Sequence, residues 1–114
     1  MKFVCIGRAE AEQDVLKNEY KTAKKLGEVR IGESHLFYRY FIRIKYLSLD
    51  EIERAYLREE SGESGEFLLL ESYLMLRSKD GTLHKLRMER ELYVRAVLLY
   101  FEDNYPFIAT GYDG

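Results

Sequence analysis

From His35 to Leu47 the chain holds a period of two for thirteen residues, with no glycine, proline or asparagine to break it. Leu36, Tyr38, Tyr40, Ile42, Ile44 and Tyr46 occupy the even positions. The odd positions carry His35, Arg39, Arg43 and Lys45 among Phe37, Phe41 and Leu47. Side chains that alternate in this way belong to a β-strand with one apolar face and one mixed basic face. Strands usually run about 5 to 6 residues, so the length favours two strands bent near Arg39 to Ile42. The unbroken phase and the missing turn residues favour one long bulged strand. Two strands is the reading adopted. The even face is expected in the core, and the odd face could meet solvent, the N-terminal helix or a partner.

The rest of the chain supplies elements to accompany that stretch. Lys2 to Ile6 reads as a short strand ended by Gly7. Arg8 to Lys25 reads as a helix, with Ala11, Val15, Leu16, Tyr20 and Ala23 at helical spacing. Its acids Glu10, Glu12 and Asp14 lie early and its lysines Lys21, Lys24 and Lys25 late, as the helix dipole favours, with Leu26-Gly27 as the cap. Glu28 to Glu33 is a lead-in strand. Glu59 to Glu66, acidic with two glycines and no apolar side chain, reads as an exposed, mobile loop.

Phe67 to Arg77 reads as a long strand, and Asp80-Gly81 as a hairpin turn into Leu83 to Met88. On that returning strand His84, Leu86 and Met88 share one face and Leu83, Lys85 and Arg87 the other. Glu89 to Asn104 is a second helix with a wide apolar stripe, and such a helix must lie across a sheet or plug its end. Tyr105-Pro106 stops it, and Phe107 to Thr110 reads as a last short strand. The abrupt end at Tyr112-Asp-Gly114 leaves room for a longer natural chain.

With 114 residues and no internal linker, one domain is the economical reading, and burial of roughly two-thirds of the unfolded surface needs no disulfide or metal. The 18 basic and 20 acidic residues leave no long-range field to draw nucleic acid or anionic lipid. The single cysteine, Cys5, lies between Val4 and Ile6 and reads as a buried inert thiol in a reducing compartment. The apolar run at the amino terminus is too short for a signal peptide, and none reaches the ~18 residues of a membrane span. The expectation is a soluble, cytoplasmic protein without nucleic-acid or integral-membrane partners and without peripheral lipid binding.

Ile31-Gly-Glu-Ser-His-Leu-Phe-Tyr38, the basic residues after it, and Tyr46-Leu-Ser-Leu-Asp-Glu-Ile-Glu-Arg-Ala-Tyr56 resemble the bacterial pleckstrin-homology-like (PH-like) domains of unknown function. The resemblance covers about Val29 to Asn104. It implies an α+β fold built on an antiparallel, strongly bent sheet or a partly open barrel, capped by the C-terminal helix. On that plan residues 1–27 are an extra N-terminal strand and helix, 28–104 the core and 105–114 a C-terminal strand. Two features depart from the family: these extensions, and the absence of any tryptophan, whose place Tyr93 or Tyr100 would take. A plain antiparallel sheet with two helices on one face is the rival architecture.

Three cations, Arg39, Arg43 and Lys45, are the candidate ligand-binding residues, since several cations must converge to hold a polyphosphate. In the PH family basic residues spaced like Arg43-x-Lys45 bind phosphoinositide headgroups, although a shared fold is not a shared site. The plainer explanation is a solvated strand face paired with Glu51, Glu53 or Glu59. Phe37 and Phe41, with the surplus of ten tyrosines, are the candidate interaction residues, for a protein partner or for self-association. Their plainer explanation is a second small core beneath the N-terminal helix.

No catalytic signature emerges. His35 and His84 have no metal ligand at motif spacing, and Gly-Glu-Ser-His35 lacks the second glycine of a nucleophile elbow. Tyr20 and Lys24 fit a dehydrogenase spacing without the glycine-rich fingerprint that would give it meaning. Asp50/Glu51 and Glu59/Glu60 read as solvated turns. The expected function is therefore an interaction or scaffolding module with no cofactor and no metal; binding of an anionic small molecule is the alternative, and an unrecognised enzyme a third.

Overall fold

The computed structural model describes residues 2–64 and 67–111. The chain forms two compact units that divide after Ile52. The first unit holds β1 (Phe3–Cys5), α1 (Gln13–Thr22), β2 (Lys24–Leu26), β3 (Val29–Ile31), β4 (His35–Tyr40) and β5 (Arg43–Ser48), then a single 3-10 turn, Leu49–Glu51. Its sheet runs β1-β5-β4-β3-β2.

The central stretch is two strands. Tyr40 pairs with Arg43, so Phe41 and Ile42 form a two-residue hairpin loop. The neighbouring hairpin, in which Leu26 pairs with Val29 around Gly27-Glu28, has the same construction. Each carries a positive φ at its first central residue only, 67° at Gly27 and 56° at Phe41. That is the φ pattern of a type II′ turn, whose first position favours glycine because a Cβ is crowded there. The expected bend lacked a marker because phenylalanine occupies the glycine position.

Folding back through a two-residue loop also reverses the phase of the pattern. Phe37 faces Tyr46 and Arg39 faces Ile44, while Tyr38 faces Lys45. One face of the sheet gathers Phe3, Phe37, Ile44 and Tyr46 beneath Leu16 of α1. Phe3, Tyr20 and Phe37 meet edge to face, at centroid distances of 5.6, 5.7 and 5.2 Å. The other face carries Val29, Ile31, Leu36, Tyr38 and Leu47, all buried. The even positions are therefore not one core face: Tyr40 and Ile42 are exposed, while odd-numbered Phe37 and Leu47 are fully buried.

Helix α1 is shorter than the spacing predicts. Its lysine-rich end, Lys24 and Lys25, pairs with Ile31 and Arg30 as an edge strand instead. Lysines suit an edge, where their charge discourages pairing with further chains. Within residues 2–27, β1 runs parallel to β5, with Phe3 opposite Ile44, and β2 forms the far edge of the sheet.

The second unit holds β6 (Ile52–Ser64), whose first residue ends the first unit, then β7 (Phe67–Ser78), β8 (Leu83–Met88), α2 (Glu91–Asn104) and β9 (Ala109–Thr110), with sheet order β8-β7-β6-β9. Residues 59–64, expected as a loop, continue β6; Gly65 and Glu66 of that segment lie outside the described residues. Glu60 in that segment is engaged. Lys85 donates to Glu60 at 2.7 and 2.8 Å, and Arg58 lies 3.0 Å from the same carboxylate. The Asp80-Gly81 hairpin forms as expected, closed by Ser78 N–H donating to Thr82 at 2.8 Å. On β8 the faces divide as the pattern predicts: Leu86 and Met88 are buried, Lys85 and Arg87 exposed. Helix α2 contacts β7, β8 and β9 and buries Val94, Val97 and Phe101.

The architecture is α+β, with two mixed sheets rather than one antiparallel sheet. The parallel pairs are β1 with β5 and β6 with β9. Each joins strands separated in sequence by a helix and other strands, which is how a chain returns to run parallel. The strands close no barrel.

Candidate interaction surface and cationic cleft

The β4–β5 hairpin tip presents Tyr40, Phe41 and Ile42 at 52, 78 and 84% exposure. Three consecutive apolar side chains stand in water at a turn. The rings of Tyr40 and Phe41 meet edge to face at 4.6 Å, and Lys45 Nζ lies 5.5 Å from the Tyr40 centroid. Register separates the three expected cations. Arg43 and Lys45 share the face of Tyr38 and Tyr40, whereas Arg39 shares the α1 face with Phe37. They flank the tip from two sides and do not converge on one point. Phe37 is fully buried in the small core beneath α1, so of the two expected interaction residues only Phe41 reaches the surface.

Arg39 instead joins residues that the sequence pattern did not single out. A cleft of about 300 Å³ is lined by Tyr20, Lys25, Gly27, Glu28, Arg30, Arg39 and Phe41. Lys25 pairs with Arg30 across β2–β3, Arg30 pairs with Phe37 across β3–β4, and Arg39 is two residues beyond Phe37. The three cations thus occupy one face of three successive strands. The Arg30 guanidinium lies 4.3 Å over the Tyr20 ring and donates to Tyr20 O at 3.4 Å. Arg39 Nε donates to Phe41 O at 3.4 Å, and its backbone N–H donates to Glu28 O at 3.1 Å, tying the two hairpins together. Lys25 and Arg30 lay in segments read as a helix end and a lead-in strand. Only the register of two consecutive hairpins brings them to Arg39, and residue spacing does not contain it.

Other titratable groups bond to neighbouring backbone and side chains. Glu19 Oε1 is 2.7 Å from His35 Nδ1, and its Oε2 accepts the N–H groups of Ser34 and His35 at 2.9 and 2.7 Å. Glu51 accepts the N–H groups of Arg8 and Ala9 at 2.8 and 3.2 Å, so it is no solvated turn residue. A second cleft, of about 560 Å³, includes Cys5, Glu10, Arg43 and Tyr46 in its lining. Burial pushes the Tyr46 hydroxyl up from its ordinary pKa, while the Ala11 N–H donated to its oxygen opposes this. Cys5 Sγ donates to Gly7 O at 3.4 Å and Ala9 O at 3.5 Å. In the second unit Glu59 and Glu91 shift each other's pKa in opposite directions. The hydrogen bond to Glu91 raises the Glu59 pKa, and the same bond with Arg95 lowers that of Glu91.

Among the described residues no group of three or more His, Cys, Asp or Glu side chains could hold a metal, and no helix is long and apolar enough to cross a membrane. What these features define is a small α+β protein whose polar side chains serve mostly as turn caps and surface pairs.

The chain belongs to the family described as Domain of unknown function (DUF6709), whose model matches residues 2–114. No curated protein and no solved structure gives a significant match.

Proposed function

We propose that this protein is an interaction module whose β4–β5 hairpin tip engages an acidic, apolar-bearing segment of another protein. One observation carries the reading: Phe41 occupies a glycine-type backbone position, at φ 56°, with its side chain 78% exposed. The neighbouring hairpin fills the same position with Gly27, so the turn itself gives no reason for a large side chain. A bulky residue held against its backbone preference and pointed into water points to recognition. Arg39, Arg43 and Lys45 beside the tip fit an acidic partner. They also disfavour a symmetric contact between two tips, which would bring like charges together.

A panel of fluorescent peptides rich in Asp and Glu and carrying Leu or Phe tests it. At least one peptide is expected to bind, more weakly as salt rises, and binding is expected to disappear in Phe41→Gly and Ile42→Ser proteins that remain folded. Absence of binding across the panel, or equal binding by the variants, overturns the reading. So does a preference of the tip for phosphatidylserine vesicles over every peptide. Light scattering at two concentrations is expected to give the monomer mass at both.

A further inference from the structure

We infer that the cleft between the β2–β3 and β4–β5 hairpins is a binding site for the phosphate group of a small ligand, held by Lys25, Arg30 and Arg39. Cations on a solvated strand face usually stand beside acids. Here none of the three makes an ion pair with a described residue. Against the single acid Glu28 in the lining, three cations leave a net charge of +2 (3 − 1) in a concave site. Two of the three are already oriented. Arg30 is laid on Tyr20 and bonded to its carbonyl through one N–H, and Arg39 is bonded to Phe41 O through one N–H, out of the five donors a guanidinium owns. Pre-orientation lowers the entropy lost when an anion is gripped.

The chemistry of the lining narrows the ligand. A guanidinium pair plus a lysine matches a tetrahedral oxyanion with several acceptor oxygens, the situation in which arginine outperforms other cations. The remaining wall is aromatic, from Tyr20 and Phe41, so a planar group attached to the phosphate would cover apolar surface. A volume of about 300 Å³ holds a small monoester rather than a polymer segment. The site shares Arg39 and Phe41 with the partner-binding reading, but Lys25 and Arg30 are not on the hairpin tip, so loss of phosphate binding in Lys25→Met distinguishes the two.

Phenyl phosphate is the probe, titrated into ¹⁵N-labelled protein at constant ionic strength, with inorganic phosphate as a second arm. Saturable shifts are expected at the amides of Lys25, Gly27, Arg30 and Arg39, with phenyl phosphate binding more tightly than inorganic phosphate. Lys25→Met and Arg39→Met are each expected to weaken binding about threefold, and together about tenfold, the scale of exposed ion pairs. Both side chains are exposed, so these variants should fold; Lys79→Met, which removes one charge from the β7–β8 turn, serves as the matched control. The inference is overturned by shifts that do not saturate, by Lys79→Met weakening binding as much as Lys25→Met, or by inorganic phosphate binding as tightly as phenyl phosphate.

Discussion

Glu19 on α1 and His35 at the start of β4 are joined by a carboxylate–imidazole contact of 2.7 Å. The other carboxylate oxygen simultaneously takes the backbone N–H groups of Ser34 and His35. The helix is thereby fastened to the turn that launches the central hairpin. Gly32 is the residue that makes room, since a Cβ there would fall inside the van der Waals surface of the Glu19 carboxylate. Glu19→Ala leaves three donors with no acceptor in a half-closed site and should cost about 1–3 kcal/mol in urea unfolding. Gly32→Ala should destabilise the natural protein but cost measurably less in the Glu19→Ala background. A simple sum of the two effects would show that the glycine is needed for another reason.

Glu51 and Gly7 repeat the device where β1 ends, beside the turn that follows β5. A Cβ on Gly7 would lie 2.6 Å from Glu51 Oε2 and 2.5 Å from Leu47 Cδ1. Glu51→Ala should therefore destabilise by about 0.5–1.5 kcal/mol, as expected for partly exposed donors that water can reach. Gly7→Ala should recover only part of its own cost in that background, because Leu47 remains in the way.

Phe37 and Phe41 lie four residues apart and should behave as opposites. Phe37 is fully enclosed by Phe3, Leu16, Ile44 and Tyr46, so Phe37→Ala opens a cavity and should cost about 3–5 kcal/mol. The same substitution at Phe41 removes a ring that is mostly in water, so denaturant melts should separate the two by several-fold in lost stability.

That contrast also shows what the residue pattern could and could not reveal. Period two placed strands at Phe3, His35, Leu83 and their neighbours, and period 3.6 placed both helices, because each local geometry stamps its own spacing on the apolar residues. The α+β class follows from this. Which strand pairs with which does not, since a parallel return such as β1 beside β5 depends on chain far away in sequence. Nor could spacing show that Arg39 parts from Arg43 and Lys45. A two-residue loop inverts the phase, and its usual glycine signal is absent at Phe41. The segment 59–64 reads as a loop for a related reason: its charges look solvated one by one, yet Glu60 has Lys85 across the sheet. The PH-like resemblance rested on the same strand periodicity, which two separate sheets satisfy as well as a bent one.

Two exposed carboxyls of β6 should impose opposite pH dependences. The hydrogen bond from Lys85 lowers the Glu60 pKa below the ordinary carboxylate range. Its contribution is present above the unfolded value of about 4.3 and is lost as pH falls through the folded value. Lys85→Met should flatten that acid-side decline. The hydrogen bond to Glu91 raises the Glu59 pKa, so its contribution is complete below the unfolded value and is lost as pH rises through the folded one. Glu59→Gln keeps a donor for Glu91 at every pH. It should gain stability over the natural protein near pH 7, with the difference shrinking toward pH 4 in urea melts. A difference that grows toward acid would contradict a Glu59 pKa raised by Glu91.

The last prediction separates stability from recognition at the hairpin tip. At φ 56° a residue with a Cβ is crowded by its own backbone, and glycine escapes that cost while giving up more freedom on folding. The position is exposed, so Phe41→Gly loses little packing beyond the edge contact with Tyr40. The balance should favour the variant by about 0.5–1 kcal/mol, seen as a higher thermal midpoint. Phe41→Ala removes the same ring but keeps the Cβ, and should show no such gain. If both variants lose peptide binding while only the glycine form becomes more stable, the ring is retained for contact and the turn bears its cost. A midpoint that falls in Phe41→Gly would instead mean that the ring stabilises the fold, and the case for the tip as a recognition surface would lose its main support.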